Sequence, residues 1–493
     1  MTRRFFIGGC ASFGAFGGLR LSAQPLFVPS GKPRLSFGVL SDVHIRARAG
    51  TENCRQGCAY FRHALEWFRA QGVDGVMIAG DIADNGFVEQ FQAFADTWFE
   101  VFPGDRAPDG RKVEKLFVFG NHDWEGCRST DYKQPNFMKR EFSKYWERFL
   151  HEPYEPIYMK TINGYPFIGQ HWDRQGWFAR CKFERIVPFM AEHGKSLDSK
   201  LPFFYFQHPH PKDTCYGPWA GGHDVGIVTK ELSAYPNAIA FSGHSHLSLT
   251  DERSIWQGSF TSVGAGAMTY TGMPNDFGDV GGCENDKRGA WDANAKKLMP
   301  VMDMRNCSQG MLWRVYDDCI VAKRREFAGS EALELGPDWV MPLPFAESRP
   351  YAFAERARKV SAPEFAPEAA LTVRRIAVKN RGGKNPKNAA EAIAALDGKG
   401  CELTVPAAVG RDGARAMYYE VTAESGGKQV RKRVLAEGFN RAPSHKKAQV
   451  PTKCRFAEDE LPAGRIVFKV APVNSYGRKG RALECNVQSE ISS

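Results

Sequence analysis

Short apolar runs alternate with longer amphipathic stretches between about residues 33 and 330 of the chain. Five of the runs are almost continuously apolar, which is typical of strands buried in a sheet. They are Leu35–Leu40, Gly75–Ala79, Leu116–Phe119, Phe203–Phe206 and Ala238–Phe241. The pattern therefore predicts five strands in the interior of one domain.

Helices are predicted between these strands, because apolar residues recur there at helical spacing. Phe61, Leu65 and Phe68 form one such apolar stripe. The predicted helices are Ala59–Ala70, Val88–Phe102 and Phe137–Phe149. Farther along, Met311–Tyr316 and Cys319–Phe327 are predicted to pair as a hairpin around two aspartates. Strands that alternate with helices predict a layered α/β domain.

The pattern changes in the second half of the chain. Residues 264–309 are rich in Gly, Asn and Asp, which predicts a long insertion or an active-site loop. Residues 342–370 are rich in Pro and Ala, as in a linker. Short alternating runs such as Met417–Val421 and Arg465–Val470 then predict an all-β sandwich over residues 371–493.

The end of this last region resembles a fibronectin type III module. Leu461–Gly464 precedes an alternating run, and the turn Asn474-Ser475-Tyr476-Gly477 follows it closely. The resemblance covers roughly the last 120 residues. It implies an antiparallel β-sandwich that forms a second domain.

The positive charge of the chain is concentrated in that last region. The formal net charge is +10, but residues 371–493 carry 23 Lys and Arg against 12 Asp and Glu. The preceding 370 residues carry 43 basic and 44 acidic groups, a net charge of −1. A break in composition of this kind usually marks a domain boundary. The overall charge therefore says little about the chemistry of the first domain.

Residues 1–23 follow the pattern of a signal peptide. Arg3 and Arg4 precede a weakly apolar run, Phe5–Phe16, and Leu21–Ala23 offers a cleavage site. The arginine pair resembles the twin-arginine export motif; an ordinary secretory signal or an uncleaved anchor is the alternative. We expect an exported protein, periplasmic or extracellular. No later run is apolar over ~18 residues, so no transmembrane helix is expected in the mature chain.

Cysteine usage leaves the redox state open. Removal of the signal segment leaves eleven of the twelve cysteines, and an odd count leaves at least one thiol free. Cys54 and Cys58 have a spacing compatible with zinc. A disulfide or two ordinary buried thiols is favoured, because no second cysteine pair lies nearby.

Polar, chemistry-bearing residues follow each of the five predicted strands. They are Asp42-Val43-His44, Gly80-Asp81, Gly120-Asn121-His122-Asp123, Gln207-His208 and Gly243-His244-Ser245-His246. Ligands bind at the carboxyl ends of the strands in open α/β sheets, so these segments should converge on one crevice. Carboxylate, imidazole and amide oxygen are ligands for Zn, Fe or Mn, which predicts a metal centre there.

This ordered set of motifs resembles the calcineurin-like metallophosphoesterase family over about residues 34–330, and the catalytic domain is predicted to span residues 34–341. The resemblance implies a layered β-sandwich flanked by helices and a centre of two metal ions, divalent or mixed-valence (Mn, Fe or Zn). It implies that the first metal is held by Asp42, His44, Asp81 and His246. It implies that Asp81, Asn121, His208 and His244 hold the second metal, with Asp81 bridging.

The resemblance also implies a reaction. A hydroxide that bridges the two metals would attack a phosphoester substrate in line, and the metals would neutralise charge on the phosphoryl oxygens. His122 would act as general acid or transition-state stabiliser, with Asp123 orienting it. The chain would therefore be a metal-dependent phosphoric ester hydrolase.

One position departs from the purple acid phosphatases, which have a tyrosine three residues after the bridging aspartate. Asp84 stands there in this sequence, followed by Asn85-Gly86. A tyrosinate-coloured ferric site is therefore not expected, and the segment looks more like the phosphodiester branch. A phosphodiesterase is favoured, with a phosphomonoesterase or a non-catalytic binding protein as alternatives.

The charge distribution bears on possible partners. Nucleic-acid binding needs a basic surface, and residues 24–370 carry 40 basic and 44 acidic groups, so no specific nucleic acid is expected. The cluster Lys428, Arg431, Lys432 and Arg433 could contact an anionic surface or polymer. A solvated face, or a module packed against the catalytic domain, is favoured over that contact.

Overall fold

The structure is a computed structural model. It describes residues 29–46, 52–124, 145–172, 181–217, 222–271, 307–345, 349–378, 398–410, 414–445, 448 and 450–487. The predicted signal segment, residues 1–23, and most of the predicted loop at 264–309 lie outside these residues. No helix in the described ranges is long and apolar enough to cross a membrane.

Seven strands form the first sheet. They are β1 (Leu35–Leu40), β2 (Gly75–Ala79), β3 (Glu114–Val118), β10 (Gln309–Val315), β11 (Cys319–Glu326), β12 (Leu333–Glu334) and β13 (Trp339–Pro342). The order is β12-β11-β10-β1-β2-β3, with β13 also pairing with β11. The β1, β2 and β3 strands are parallel, whereas the other pairings are antiparallel.

Six strands form the second sheet. They are β4 (Ile157–Ile162), β5 (Tyr165–Gln170), β6 (Phe203–Phe206), β7 (Ala238–Ser242), β8 (Ile255–Gln257) and β9 (Thr261–Gly264). The order is β4-β5-β6-β7-β9-β8, and the four central strands are mutually parallel. Both sheets are therefore mixed, and the carboxyl ends of their parallel strands carry the predicted motifs.

The two sheets pack face to face around aromatic side chains. Phe37 of β1 lies at the centre, with its ring centroid 5.1 Å from that of Phe167, 4.9 Å from Phe204 and 6.0 Å from Phe241. All four rings are buried. Burying large aromatic side chains supplies much of the apolar driving force for such a layer. The predicted layered α/β architecture is thereby confirmed.

Helices cover the outer faces of the sandwich. They are α1 (Glu52–Ala70), α2 (Val88–Val101), α3 (residues 145–150), α4 (Ile186–His193) and α5 (Ile227–Leu232). Phe94 and Trp98 of α2 contact Phe117 on the outer face of β3, with ring centroids 5.5 and 5.1 Å apart. Ile186 of α4 and Val228 of α5 belong to the same buried cluster. The sandwich is thus flanked by helices, as predicted.

The C-terminal region consists mainly of strands. Its elements are α6 (Phe353–Lys359), β14 (Glu364–Phe365), β15 (Thr372–Val378), β16 (Gly398–Val405), β17 (Ala408–Val409), β18 (Tyr418–Ser425), β19 (Lys428–Leu435), β20 (Thr452–Ala457), β21 (Ile466–Val473) and β22 (Leu483–Val487). Three strands pair as β15-β16-β20, four pair as β19-β18-β21-β22, and β14 pairs with β17. The two larger sheets share one buried core.

The boundaries differ from prediction where apolar periodicity is weak. The predicted strand Leu116–Phe119 is β3, which begins at Glu114 and ends at Val118. The predicted helix Ala59–Ala70 is α1, which begins seven residues earlier, at Glu52. That first part is polar and carries little apolar pattern. The predicted linker contains α6, none of whose residues is buried.

The described cysteines are free thiols, Cys54 and Cys58 among them. Burial raises the pKa of the Cys58 thiol to about 11, and the neighbouring Cys54 adds to the shift. The structure therefore supports two ordinary thiols at this position rather than a disulfide.

A glycine of β1 allows the sheet and α1 to pack closely. A Cβ at Gly38 would overlap the Phe68 ring, whereas a Cβ at Gly57, in α1, would meet nothing within 4 Å. We expect Gly38→Ala to lower the free energy of unfolding by about 1–3 kcal/mol through overpacking. The control Gly57→Ala should raise it by roughly 0.5–1 kcal/mol, because alanine favours the helix. Urea unfolding measures both; equal effects would contradict the packing described.

Candidate metal centre

Five loops meet at the carboxyl ends of strands from both sheets. They follow β1, β2, β3, β6 and β7 and carry all of the residues predicted to bind metal. Backbone hydrogen bonds join the loops: the Asp42 N–H donates to the Gly80 carbonyl at 3.0 Å, and the Gly243 N–H donates to the His208 carbonyl at 2.7 Å. The parallel strands of the two sheets thus bring distant segments together.

Many of these side chains stand on left-handed backbone. Asp42, His44, Asp81, His244 and His246 have φ values of 51°, 47°, 52°, 67° and 56°. A non-glycine residue in this region costs of order 1–3 kcal/mol. The bend after each strand turns alternate residues, such as Asp42 and His44, toward the same point. The strained backbone directs these side chains toward the metal centre.

Two glycines permit the close approach of the loops. Gly80 has a φ of 94°, and a Cβ there would overlap the His208 ring. A Cβ at Gly243 would overlap the side chains of Ser41 and Asp42. Any larger residue at either position would push a predicted ligand away from the centre.

The first cluster consists of Asp42, His44, Asp81 and His246, whose ligand atoms lie within 4.8 Å of one another. His246 Nε2 lies 3.0 Å from Asp42 Oδ1, and His44 Nε2 lies 3.1 Å from His246 Nε2. His44 Nε2 is 3.6 Å from Asp81 Oδ2. All four residues are buried. The structure therefore brings together the residues predicted for the first metal.

The second cluster consists of Asp81, His208 and His244. His208 Nε2 lies 3.0 Å from Asp81 Oδ2. Asn121, the fourth predicted ligand, is buried at the end of the neighbouring strand. Asp81 belongs to both clusters, as a carboxylate that bridges two ions must.

Several ligand atoms in the centre form no hydrogen bond with any described residue outside the two clusters. They are Asp81 Oδ2, Asn121 Oδ1 and His208 Nε2, all shielded from solvent. A buried polar atom without a partner is costly, so such atoms usually face a ligand. Two carboxylates, four imidazoles and an amide oxygen suit Mn, Fe or Zn. The residues present therefore fit a pair of metal ions.

The electrostatics of the two clusters point the same way. Burial acts to raise the pKa of Asp42 and of Asp81, but the neighbouring histidines outweigh it and hold both pKa values well below the usual range. Burial acts to lower the pKa of His44 and His208, yet the carboxylates raise these pKa values to about 10 and about 9. The cluster thus attracts positive charge, which bound cations can supply.

Hydrogen bonds behind the ligands fix the imidazole rings. His208 Nδ1 donates to the Ala79 carbonyl at 2.8 Å, and His246 Nδ1 donates to the Tyr270 carbonyl at 3.0 Å. Each ring consequently presents Nε2 to the cluster. Partners of this kind set the tautomer of metal-binding histidines and strengthen them as ligands.

His44 has a carboxylate behind it instead of a carbonyl. Asp84 Oδ1 lies 3.3 Å from His44 Nδ1, and Asp84 Oδ2 lies 3.4 Å from Arg46 Nε. Asp84 thus lies on the side of the ring away from the first cluster. The sequence singled out this position only as a departure from the purple acid phosphatases. Its contact with His44 required the fold.

His122 lies at the edge of the first cluster. Its ring is 4.6 Å from that of His44, and its Nδ1 donates to the Asp84 carbonyl at 2.8 Å. The His122 N–H donates to Asp81 Oδ1 at 2.9 Å. The backbone and the ring of His122 are therefore both held by the loop that follows β2.

Asp123 is predicted to orient His122, and its carboxylate is bound by backbone groups of the surrounding loops. It accepts hydrogen bonds from the backbone N–H groups of Gly120 and Ala83, both at 2.8 Å, and of Ile82 at 3.3 Å. Burial, together with the charge of Asp81, raises the pKa of Asp123 to about 7. Asp123 joins the loops after β2 and β3 and so positions His122 only indirectly.

Two further residues near the centre, Tyr270 and His210, are not among the predicted site residues. Tyr270 lies in the predicted 264–309 loop, where no motif marked it, and its ring is 5.6 Å from that of His44. His210 lies two residues after the predicted ligand His208. It is buried, with Nε2 2.7 Å from Ser245 Oγ and Nδ1 2.6 Å from Ser242 Oγ.

The comparison with protein families agrees with this geometry. The family model "Calcineurin-like phosphoesterase" matches residues 35–248, the part of the chain that carries all five motifs. Residues 35–248 therefore form a calcineurin-like metallophosphoesterase domain. This family supports a metal-dependent phosphoesterase. The two clusters that share Asp81 are suited to binding two metal ions.

Solved structures give only weak likenesses. A dimetal phosphatase from Danio rerio is 12% identical, with 63% of this chain and 99% of that chain covered and a TM-score of 0.34. The purple acid phosphatase PPD1 from yellow lupin (Lupinus luteus) seeds is 12% identical, with 62% and 53% covered and a TM-score of 0.36. An archaeal phosphodiesterase is 13% identical, with 48% and 85% covered and a TM-score of 0.22. No curated protein sequence matches the chain.

The contact between Asp84 and His44 can be tested through metal affinity. We expect Asp84→Asn to weaken Mn²⁺ binding by roughly 10–100-fold, because a carboxylate behind a ligand histidine makes it a better ligand. The control Asp317→Asn removes an exposed carboxylate paired with Arg34 at the other end of β1. Calorimetric titration of Mn²⁺ measures both; equal affinities in the two variants would contradict the role of Asp84.

Proposed function

We propose that the chain is an exported, dinuclear, metal-dependent phosphoesterase that hydrolyses a phosphodiester. The observation that carries the proposal is the sharing of Asp81 by two clusters of buried ligands at the ends of five strands. Two ions bound there would activate water and neutralise charge on the phosphoryl oxygens. Seven residues would hold them, namely Asp42, His44, Asp81, Asn121, His208, His244 and His246.

His122 is the proposed general acid. Its Nδ1 proton is engaged by the Asp84 carbonyl, so proton transfer to the leaving alkoxide is assigned to Nε2. A well-placed acid of this kind contributes typically ~10²–10⁴-fold to the rate. Asp123 is a positioning residue, because it holds the backbone on either side of the centre.

A phosphodiester substrate is favoured over a phosphomonoester because of the residue type at position 84. Purple acid phosphatases have a tyrosine at this position, and here a carboxylate supports His44 and pairs with Arg46. A phosphomonoesterase with the same centre is the second candidate. A non-catalytic binding protein is disfavoured, because the full set of ligands is present together with His122.

Export and the nature of the second domain are proposed from the sequence. The pattern of residues 1–23 supports export to the periplasm or beyond. Seven of the strands from β15 to β22 form sheets of three and four strands around one core, which supports a fibronectin type III-like sandwich.

Contact of the basic cluster with an anionic surface is the weaker part of the proposal. Lys432 of that cluster is buried, and its Nζ lies 2.7 Å from Glu460 Oε2. Arg433 lies 3.8 Å from Glu420. Two of the four basic side chains are therefore paired with glutamates, and the cluster exposes less positive charge than its sequence indicates.

Two substitutions separate proton transfer from metal binding. We expect His122→Ala to lower kcat by roughly 10²–10⁴-fold while the metal content stays near that of the unmodified protein. Asp81→Asn should instead lose metal, because one bridging oxygen of the carboxylate is replaced by an amide. Metal analysis by mass spectrometry, run beside the assay, checks both. Loss of both metals in His122→Ala would refute its assignment.

A comparison of esters tests the substrate class. With Mn²⁺ added, we expect a higher kcat/KM for bis-p-nitrophenyl phosphate than for p-nitrophenyl phosphate. The reverse preference would favour the monoesterase. Fewer than one metal ion per chain, without activity on either ester, would favour the binding protein.

A further inference from the structure

A buried glutamine connects the metal-binding domain to the C-terminal strands. Gln309, at the start of β10, is fully buried. Its Oε1 accepts a hydrogen bond from the Leu249 N–H at 2.7 Å, three residues after the predicted ligand His246. Its Nε2 donates to the Asn440 carbonyl at 2.8 Å. One side chain therefore links the loop after β7 to the segment after β19.

The segment that carries Asn440 is anchored by a buried ion pair. Arg441 Nη1 lies 2.7 Å from Glu326 Oε1, and the two side chains are 4% and 0% exposed. The Ala442 N–H donates to Glu326 Oε2 at 2.6 Å. Ala442 itself belongs to the core between the two large sheets. Removal of one partner of a buried ion pair leaves an uncompensated buried charge, which is strongly destabilising. The Arg441–Glu326 pair therefore holds this segment in place.

The chain after His246 is held at two further points. Arg253 Nη2 donates to Met417 Sδ at 3.7 Å, and the Tyr476 hydroxyl donates to the Glu252 carbonyl at 3.3 Å. Tyr476 belongs to the turn on which the resemblance to a fibronectin type III module partly rests. Residues 247–254 thus lie between the metal centre and the C-terminal strands.

The loop Gly243–His246 needs support from outside itself. His244 and His246 occupy left-handed backbone, which costs energy unless the surroundings impose it. His210 grips one side of the loop through Ser245 Oγ. Gln309 holds the chain just after the loop, at Leu249, and its side-chain amide donates in turn to the Asn440 carbonyl.

We propose that the C-terminal strand-rich region is a structural support for the metal-binding loop, and that Gln309 and Arg441 are positioning residues. The proposal rests on the proposed function only in that it requires the loop to bind metal. Removal of the link should let His244 and His246 relax from their strained conformation. Metal affinity should then fall although no ligand has changed.

The test uses the full chain with Mn²⁺ as the only probe. We expect Gln309→Met and Arg441→Met each to raise the Mn²⁺ dissociation constant about tenfold, the lower end of the usual effect of residues behind metal ligands. The control Arg431→Met alters an exposed side chain of β19 that hydrogen-bonds Gln429. Its dissociation constant should equal that of the unmodified protein.

A milder variant covers the case in which the larger changes unfold the chain. Tyr476→Phe removes only the hydroxyl that donates to Glu252, and we expect a two- to threefold weaker Mn²⁺ affinity. Circular dichroism and Tm establish that each variant is folded. The exchange-coupled electron paramagnetic resonance signal of a Mn²⁺ pair reports its geometry, and we expect it to change in Gln309→Met.

The outcomes are distinct. A lowered Tm with unchanged Mn²⁺ affinity and an unchanged signal in the folded variants would overturn the proposal, since the contacts would then be merely structural. An unmodified protein that binds no Mn²⁺ would instead overturn the proposed function. Weaker affinity in Arg431→Met equal to that in Arg441→Met would also contradict the specific role of the buried pair.

Discussion

The burial of the Asp81 carboxylate is the constraint on which the rest of the metal centre depends. A carboxylate without solvent needs compensating charge and hydrogen bonds. The His122 N–H occupies one of its oxygens, while the other faces His208 at 3.0 Å and His44 at 3.6 Å. Ligands from both sheets must converge on this one group. The glycines, the left-handed backbone and the short loops are the means by which five strands reach it.

Much of the fold followed from the sequence because the central strands are buried on both faces. The runs at β1, β2 and β6 were predicted with their observed boundaries, since a continuous apolar run has a clear start and end. The start of α1 was missed because its first turns are polar. The ligand residues were predicted as a group because each follows a strand.

The contacts that aim the ligands could not be read from the sequence. Asp84 supports His44 through a bend whose geometry depends on neighbouring loops, and Tyr270 reaches His246 through a backbone carbonyl, which any residue type could supply. The hydrogen bonds that Asp123 accepts from backbone N–H groups were not predicted, because proximity in sequence to His122 does not determine where a carboxylate points. The link from Gln309 to Asn440 spans 131 positions and leaves no local pattern.

The Arg441–Glu326 pair has a consequence for the order in which the molecule can assemble. All seven proposed ligands lie before residue 247, yet Glu326 binds Arg441 and Ala442, much later in the chain. Closing so long a loop is entropically opposed and must await most of the chain. A nascent chain that ends before residue 441 lacks the cation that pairs with Glu326. Synthesis therefore has to pass the last ligand by about 200 residues before the domain reaches its final form.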